Sequence, residues 1–154
     1  MLHQLRREQV LPITLQEAWD FFSSPRNLDA LTPPDVGMEI LRCDSERMHE
    51  GQIISYRIRL APLIHVTWVT EIKAVEEGRS FIDEQRFGPY KFWHHRHSFE
   101  AVPDGVKVGD IVHYMMPFGP LGEVVHTLFA RRKLEAIFDY RAKAMGRRFG
   151  TPPR

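Results

Sequence analysis

The spacing of apolar positions changes character three times along the chain. Leu15, Ala18, Trp19 and Phe22 recur at the i, i+3, i+4, i+7 spacing of one helix face. Thr14-Leu-Gln-Glu17 stands at their head and predicts a capping box, in which hydroxyl and carboxylate each satisfy a free N–H at the helix start. Ser23-Ser24-Pro25 stops that helix and predicts a second short one, with Ser24 as N-cap and Pro25 as first residue, ended by Thr32-Pro33-Pro34. From about residue 36 to 116, β-branched and aromatic residues alternate with polar ones, and Gly, Pro and Asp fall between the runs. Strands are predicted near 37–43, 51–60, 64–75, 79–87, 91–102 and 106–116. Val102-Pro-Asp-Gly-Val106 carries turn chemistry, Pro fixing φ and Gly accepting a left-handed conformation, and Glu76-Glu77-Gly78 and Phe87-Gly88-Pro89-Tyr90 break the runs elsewhere. The pattern is an antiparallel meander. After an ordered loop at Met116-Pro-Phe-Gly-Pro-Leu-Gly122 the helical period returns and holds to about Arg148, with Val125, Leu128, Phe129, Ala130, Leu134, Ile137, Phe138 and Met145 on its apolar stripe. Such a stripe must be covered, and a curved antiparallel sheet can take the helix on its concave side. The predicted class is α+β.

Size and charge narrow the picture further. A chain of 154 residues suits one domain, expected over 1–150 with a loose tail at 151–154. No run approaches the roughly 18 apolar residues that span a bilayer. The net charge of +1 lacks the basic excess expected of a nucleic-acid binder. One cysteine, Cys43, excludes an internal disulfide and reads as a small buried apolar residue at a strand end rather than a redox thiol. The first residues lack the apolar core of a signal peptide, so a cytoplasmic location is expected.

An opening strand, two short helices, a six-strand meander and a long C-terminal helix together resemble the helix-grip fold of the SRPBCC superfamily, which includes START domains, birch-pollen-allergen-like proteins and polyketide cyclases. The resemblance covers nearly the whole chain. Gly51-x4-Tyr56-Arg57, Phe81-x-Asp83-x-Gln85-x2-Gly88-Pro89-Tyr90, Trp93-x-His95-x-His97-x-Phe99 and Pro117-Phe-Gly-Pro-Leu-Gly122 are similar to the ligand-binding group of that superfamily often labelled cell-division inhibitor-like. Some members of that group are fused to a sugar-nucleotide-epimerase-like domain, and no such fused domain is expected here. The resemblance implies a cavity between the concave sheet and the long helix. It does not imply a reaction, because binders, transporters, cyclases and hydrolases share the scaffold.

Strand parity then selects the residues facing such a cavity. Trp93, His95, His97 and Phe99 share one face of their strand, and Phe92, His94, Arg96 and Ser98 share the other. On the preceding strand Phe81, Asp83, Gln85 and Phe87 form the set expected to face inward. If Gly88-Pro-Tyr90 is a three-residue loop, paired residue numbers sum to 178, which sets Asp83 opposite His95 and Gln85 opposite Trp93. Asp83, Gln85, His95 and His97 are therefore candidates to bind a carbonyl, hydroxyl or carboxylate on an otherwise apolar ligand such as a lipid, polyketide or isoprenoid. The same cluster can be read as a structural network. It can also be read as an acid–base pair of a cyclase or hydratase, His95 oriented by Asp83. A third reading is a regulatory domain without ligand. Tyr56, Trp68 and Tyr114 are candidate wall residues with a polar edge. Arg57 and Arg59 are expected in solvent, and Met115 to Leu121 as a hinge or an apolar gate.

His-x-His offers two imidazoles on one side of a strand, but the ligand spacing of a metal-binding cupin does not follow it, and only Asp83 and His113 could complete a set. No metal and no cofactor are expected. Neither a nucleophile elbow, a phosphate-binding loop nor a dinucleotide fingerprint is present. The neutral total hides an asymmetry. Residues 131–154 hold eight Lys or Arg and two acids, and the first 130 hold 13 bases and 18 acids, so +6 sits on the C-terminal helix and −5 on the rest. A basic outer helix face is expected, either merely solvated or meeting an anionic membrane or an acidic protein.

Overall fold

The first strand and the last lie side by side. In a computed structural model that describes residues 1–152, β1 (His3–Leu11) pairs antiparallel with β7 (Gly105–Met115), His3 opposite Tyr114 and Leu11 opposite Val106. A side chain at Gly105, whose φ is +131°, would collide with the Leu11 carbonyl, so glycine is what lets the two strand ends meet. The meander supplies β2 (Met38–Arg42), β3 (Ile53–Ala61), β4 (Ile64–Glu76), β5 (Ser80–Phe87) and β6 (Phe92–Val102). Together they make one antiparallel sheet in the order β1-β7-β6-β5-β4-β3-β2. The predicted strand segments all occur, with ends shifted by a residue or two. Pro153 and Arg154, the end of the expected tail, lie outside the described residues.

α1 (Leu15–Phe22) begins with the capping box, Glu17 N–H donating to Thr14 Oγ1 at 3.2 Å and Thr14 N–H to Glu17 Oε2 at 2.8 Å. Its apolar side sets Trp19 edge-on against Phe81 and Phe99 of the sheet. The second short helix, Pro25–Leu31, is a 3-10 helix, and Ser24 makes no side-chain cap there. The C-terminal helix starts earlier than its pattern suggests. α2 (Gly119–Val125), a π-helical turn (His126–Ala130) and α3 (Arg131–Phe149) run end to end, so half of the segment expected as a loop is helical. Pro120 tolerates this because the first turn of a helix leaves its N–H groups unpaired anyway.

Two groups of buried apolar residues hold helix and sheet together. One surrounds Leu11, Trp19, Phe22, Ile54 and Phe81, and the other joins Leu5, Trp93 and Val112 to Leu134 and Phe138 of α3. Cys43 is half-buried just past β2, its thiol donating to Ser45 O at 2.8 Å. One expectation fails on α3: Arg141, counted in the basic outer face, points inward and is buried. It lies on the apolar stripe, three residues past Phe138 and four before Met145. No helix among the described residues is long and apolar enough to cross a membrane.

Candidate functional site

The sheet and the C-terminal helix enclose a cavity of about 500 Å³, within the usual range of small-molecule sites. Leu31, Met48, Ile58, Ile72 and Phe81 are among its apolar walls, and Leu134, Ile137 and Phe138 line it from α3. Its buried charge is gathered where Asp83, His95, His97 and Arg141 reach the cavity, while Thr32, Arg59, Thr70 and Lys133 also contribute to the lining.

β5 and β6 pair in the expected register, Asp83 opposite His95 and Phe81 opposite His97. Asp83 Oδ1 accepts from Trp93 Nε1 at 2.9 Å, and Oδ2 accepts from His97 Nε2 at 2.7 Å and stands 3.2 Å from His95 Nδ1. Asp110, on β7, closes the other side: its Oδ1 is 2.8 Å from His95 Nε2 and 3.3 Å from His97 Nδ1, and its Oδ2 is 3.5 Å from Arg141 Nε. The two imidazoles lie 3.8 Å apart between their centroids, with Phe81 stacked on His97 and Phe138 edge-on to His95. Two carboxylates, two imidazoles and a guanidinium are thus packed into an apolar interior.

Burial alone would keep these groups neutral, and their mutual attraction overrides it. Burial opposes ionisation of Asp83, but the charge of His95 and hydrogen bonds from both imidazoles hold the carboxyl well below the usual range. Burial likewise works against Asp110, and Arg141 with the two imidazoles pulls it well below the usual range. His95 is desolvated too, yet the Asp83 and Asp110 carboxylates push it up to about 9. His95 therefore carries a proton at neutral pH, and both its nitrogens are committed to carboxylates. Three atoms of the cluster have no hydrogen-bond partner although they are shielded from water: His97 Nδ1, Arg141 Nε and one terminal nitrogen of Arg141, Nη2.

Of the eight candidate residues, six are brought to the cavity: Tyr56, Trp68, Asp83, Trp93, His95 and His97. Burial pushes the Tyr56 phenol well above its ordinary range, and the Asp83 charge adds to this. Gln85 and Tyr114 go elsewhere. Strand pairing stops at Glu84 opposite His94, and Gln85 folds over the hairpin instead, donating to Tyr90 O at 2.7 Å and accepting from Tyr90 N at 3.2 Å. A Cβ at Gly88 would meet this amide at 2.5 Å, so the glycine makes room for it. Against β4 the register shifts between Gln85 and Phe87, a bulge that turns Phe87 out to solvent rather than inward. Tyr114 is buried, but its hydroxyl bonds His126 Nε2 at 2.9 Å on the flank of the C-terminal helix. Arg57 pairs with Glu39 in solvent, and Arg59 is exposed at the rim.

Asp110 and Arg141 were not among the candidates, although both carried a signal. Asp110 shares strand parity with Val106, Val108, Val112 and Tyr114, an acid in an otherwise inward-facing set. As for metals, Asp83, His95 and His97 present ligand atoms within 4.8 Å of one another, and so do His3, Glu123 and His126. His113 does not join the first group, because it pairs across from His94 on the opposite face and bonds Gln4 at 2.8 Å.

The fold is shared with solved structures. CV1439 from Chromobacterium violaceum superposes with a TM-score of 0.73 at 13% identity over 99% of both chains. The chain has the helix-grip fold. Ara h 8.0201 matches with a TM-score of 0.60 at 19% identity, over 94% of this chain and 98% of that one. SA2116 from Staphylococcus aureus, described as a protein of unknown function, gives 0.68 at 10% identity over 96% of each chain. At such identities the likeness concerns the helix-grip architecture alone. No protein-family model matches the chain, and no curated protein sequence matches it.

Proposed function

We propose that this helix-grip chain binds a small, largely apolar molecule in the cavity, with an oxygen of the molecule against Arg141 and His97. The observation that carries the reading is the set of unpartnered atoms in the buried charged cluster of a mostly apolar cavity. Leaving such donors without a partner costs about 1–3 kcal/mol each, and a ligand oxygen would accept from Arg141. His97 Nδ1, 3.3 Å from Asp110 Oδ1 but without a hydrogen bond, is the other open position. A hydroxyl on the ligand, which both donates and accepts, would suit that nitrogen and the guanidinium together. A hydroxylated lipid, polyketide or isoprenoid has this form. The subgroup likeness read from the sequence points the same way, and a lone unbridged cysteine suits a reducing cytoplasm.

The same geometry favours a binder over an acid–base catalyst built on His95 and Asp83. A base needs a free lone pair within reach of substrate, and both His95 nitrogens face carboxylates. An open cavity also fits a binder better than a domain that serves only as a regulatory partner. Native mass spectrometry of freshly purified protein tests the proposal: a retained small molecule is expected, and Arg141→Met with Asp110→Asn should release it. An empty chain that also fails to take up the apolar probe anilinonaphthalene sulfonate would sink the reading.

A further inference from the structure

The end of the sheet where the cavity opens carries nearly all of the exposed large apolar side chains of the described residues. Leu41 and Ile53 sit at the far end; Leu60, Leu63 and Ile64 lie at the β3–β4 turn, Phe118 to Phe129 from the start of α2 through the π-helical turn, and Met1, Leu2, Phe87 and Phe92 at the start of β1 and the β5–β6 hairpin. Leu63 is 95% exposed, Phe118 81% and Phe129 68%, with Ile64, Leu121 and Leu128 beside them. Patches of this kind on a monomer mark a surface made to be covered.

Backbone conformation gives a second, independent sign. Leu63 at the β3–β4 turn and Phe118 at the start of α2 have φ of 66° and 65°. That left-handed region costs a bulky residue roughly 1–2 kcal/mol and is normally filled by Gly or Asn. Both tips keep a large apolar residue there and point it at water. The polar side of the helical segment is meanwhile tied down, Glu123 to His3 at 2.9 Å and His126 to Tyr114 at 2.9 Å, which leaves the apolar side outward. Lys133 donates to the Leu60 carbonyl and ties the start of α3 to the end of β3 at the same rim.

Charge identifies the partner. Arg59, Lys91, Arg132 and Lys133 stand around this end. Of its acids, Glu123 is held by His3 and the N-terminal amine, Glu135 by Arg131 and Glu39 by Arg57, which leaves Asp29 beside Arg59 and a basic surplus at the rim. We propose that this rim inserts its apolar tips into an anionic lipid bilayer, with the basic residues meeting the headgroups. The contact lies on the cavity mouth and the first turn of α3 rather than on the length of the basic helix. It does not depend on the cavity holding a ligand.

Flotation of the full chain with phosphatidylcholine–phosphatidylglycerol vesicles, against phosphatidylcholine alone, tests it. Binding is expected to the anionic vesicles and to weaken as salt is added. The double variant Leu63→Ser with Phe129→Ser, neither of which lines the cavity, should bind about tenfold more weakly or worse. Its thermal melting and its retained small molecule should be unchanged, so a failed ligand reading and a failed membrane reading give different results. Vesicle binding absent in the parent chain, or equal in the double variant, overturns the proposal. Sedimentation showing a dimer that the double variant abolishes, with no vesicle binding, overturns it in favour of a second copy of the chain.

Discussion

The inner end of the cavity and its mouth break the ordinary partition of side chains in opposite directions. At the inner end, Asp83, His95, Asp110 and Arg141 put four ionised groups where apolar residues normally go. At the mouth, Leu63, Phe118 and Phe129 put apolar side chains where charge normally goes. The inner end balances its charge inside the molecule, because two carboxylates face an imidazolium and a guanidinium. The mouth has no such solution in its own chain. Perturbing the first should therefore cost stability, and perturbing the second should cost interaction.

The largest effect is expected at Asp110. Asp110→Ala leaves a protonated His95 with Asp83 alone and takes from Arg141 the carboxylate beside it. Removing one partner of a buried ion network costs about 3–5 kcal/mol. Urea denaturation measures it, and a loss below about 1 kcal/mol would show that the charges are not coupled. Next in size is the pH dependence of the parent chain. His95 is raised from its ordinary value to about 9 in the folded state. The fold thus binds that proton more tightly than the unfolded chain does. Its contribution is complete below about pH 6.5 and is lost as pH rises through about 9. The two depressed carboxyls act with the opposite sign, contributing above their ordinary values near 4 and losing that contribution in acid. Unfolding free energies at about pH 6.5 and 9.5 should differ by on the order of 2–3 kcal/mol, and His95→Gln should flatten the difference. A parent chain whose stability is level across that window contradicts the assignment.

At the junction between the two ends, Gly122 lines the cavity with no room for a side chain, since a Cβ would collide with the Pro117 carbonyl. Gly122→Ala must move α2 off that loop, at about 1–3 kcal/mol. Near-ultraviolet circular dichroism and denaturation follow it. A variant as stable as the parent chain would mean that the mouth helix is free to shift.

How much of this could be read in the sequence differs between the two ends for physical reasons. Local rules and parity gave the capping box, the meander, and Asp83 opposite His95, because those depend on near neighbours and on turn length. Gln85 escaped parity because its amide is worth more closing the Tyr90 turn than lining a wall. Tyr114 kept its inward parity and was claimed by His126, a partner no strand rule brings near. Arg141 was hidden by the reverse error: a charge on a helix was assigned to solvent, although its spacing from Phe138 and Met145 placed it on the buried stripe. The mouth was less legible still, since Leu128 and Phe129 belong to the same helical period as Leu134 and Phe138. Only the end of the sheet decides where that stripe stops being covered.

The smallest expected effect is the sharpest probe of the contrast. Leu63 is almost wholly exposed in a left-handed conformation, so Leu63→Gly removes strain and removes no packing. Relief of roughly 1–2 kcal/mol is set against about 1 kcal/mol for the greater freedom of glycine in the unfolded chain. The net should lie between no change and a gain of about 1 kcal/mol. A side chain whose deletion leaves the fold as stable or stabler, yet weakens attachment to anionic vesicles, is held for the interaction rather than the fold. A loss above about 1 kcal/mol in thermal denaturation would instead mean that Leu63 packs within its own chain, and the mouth would then be one more piece of the core.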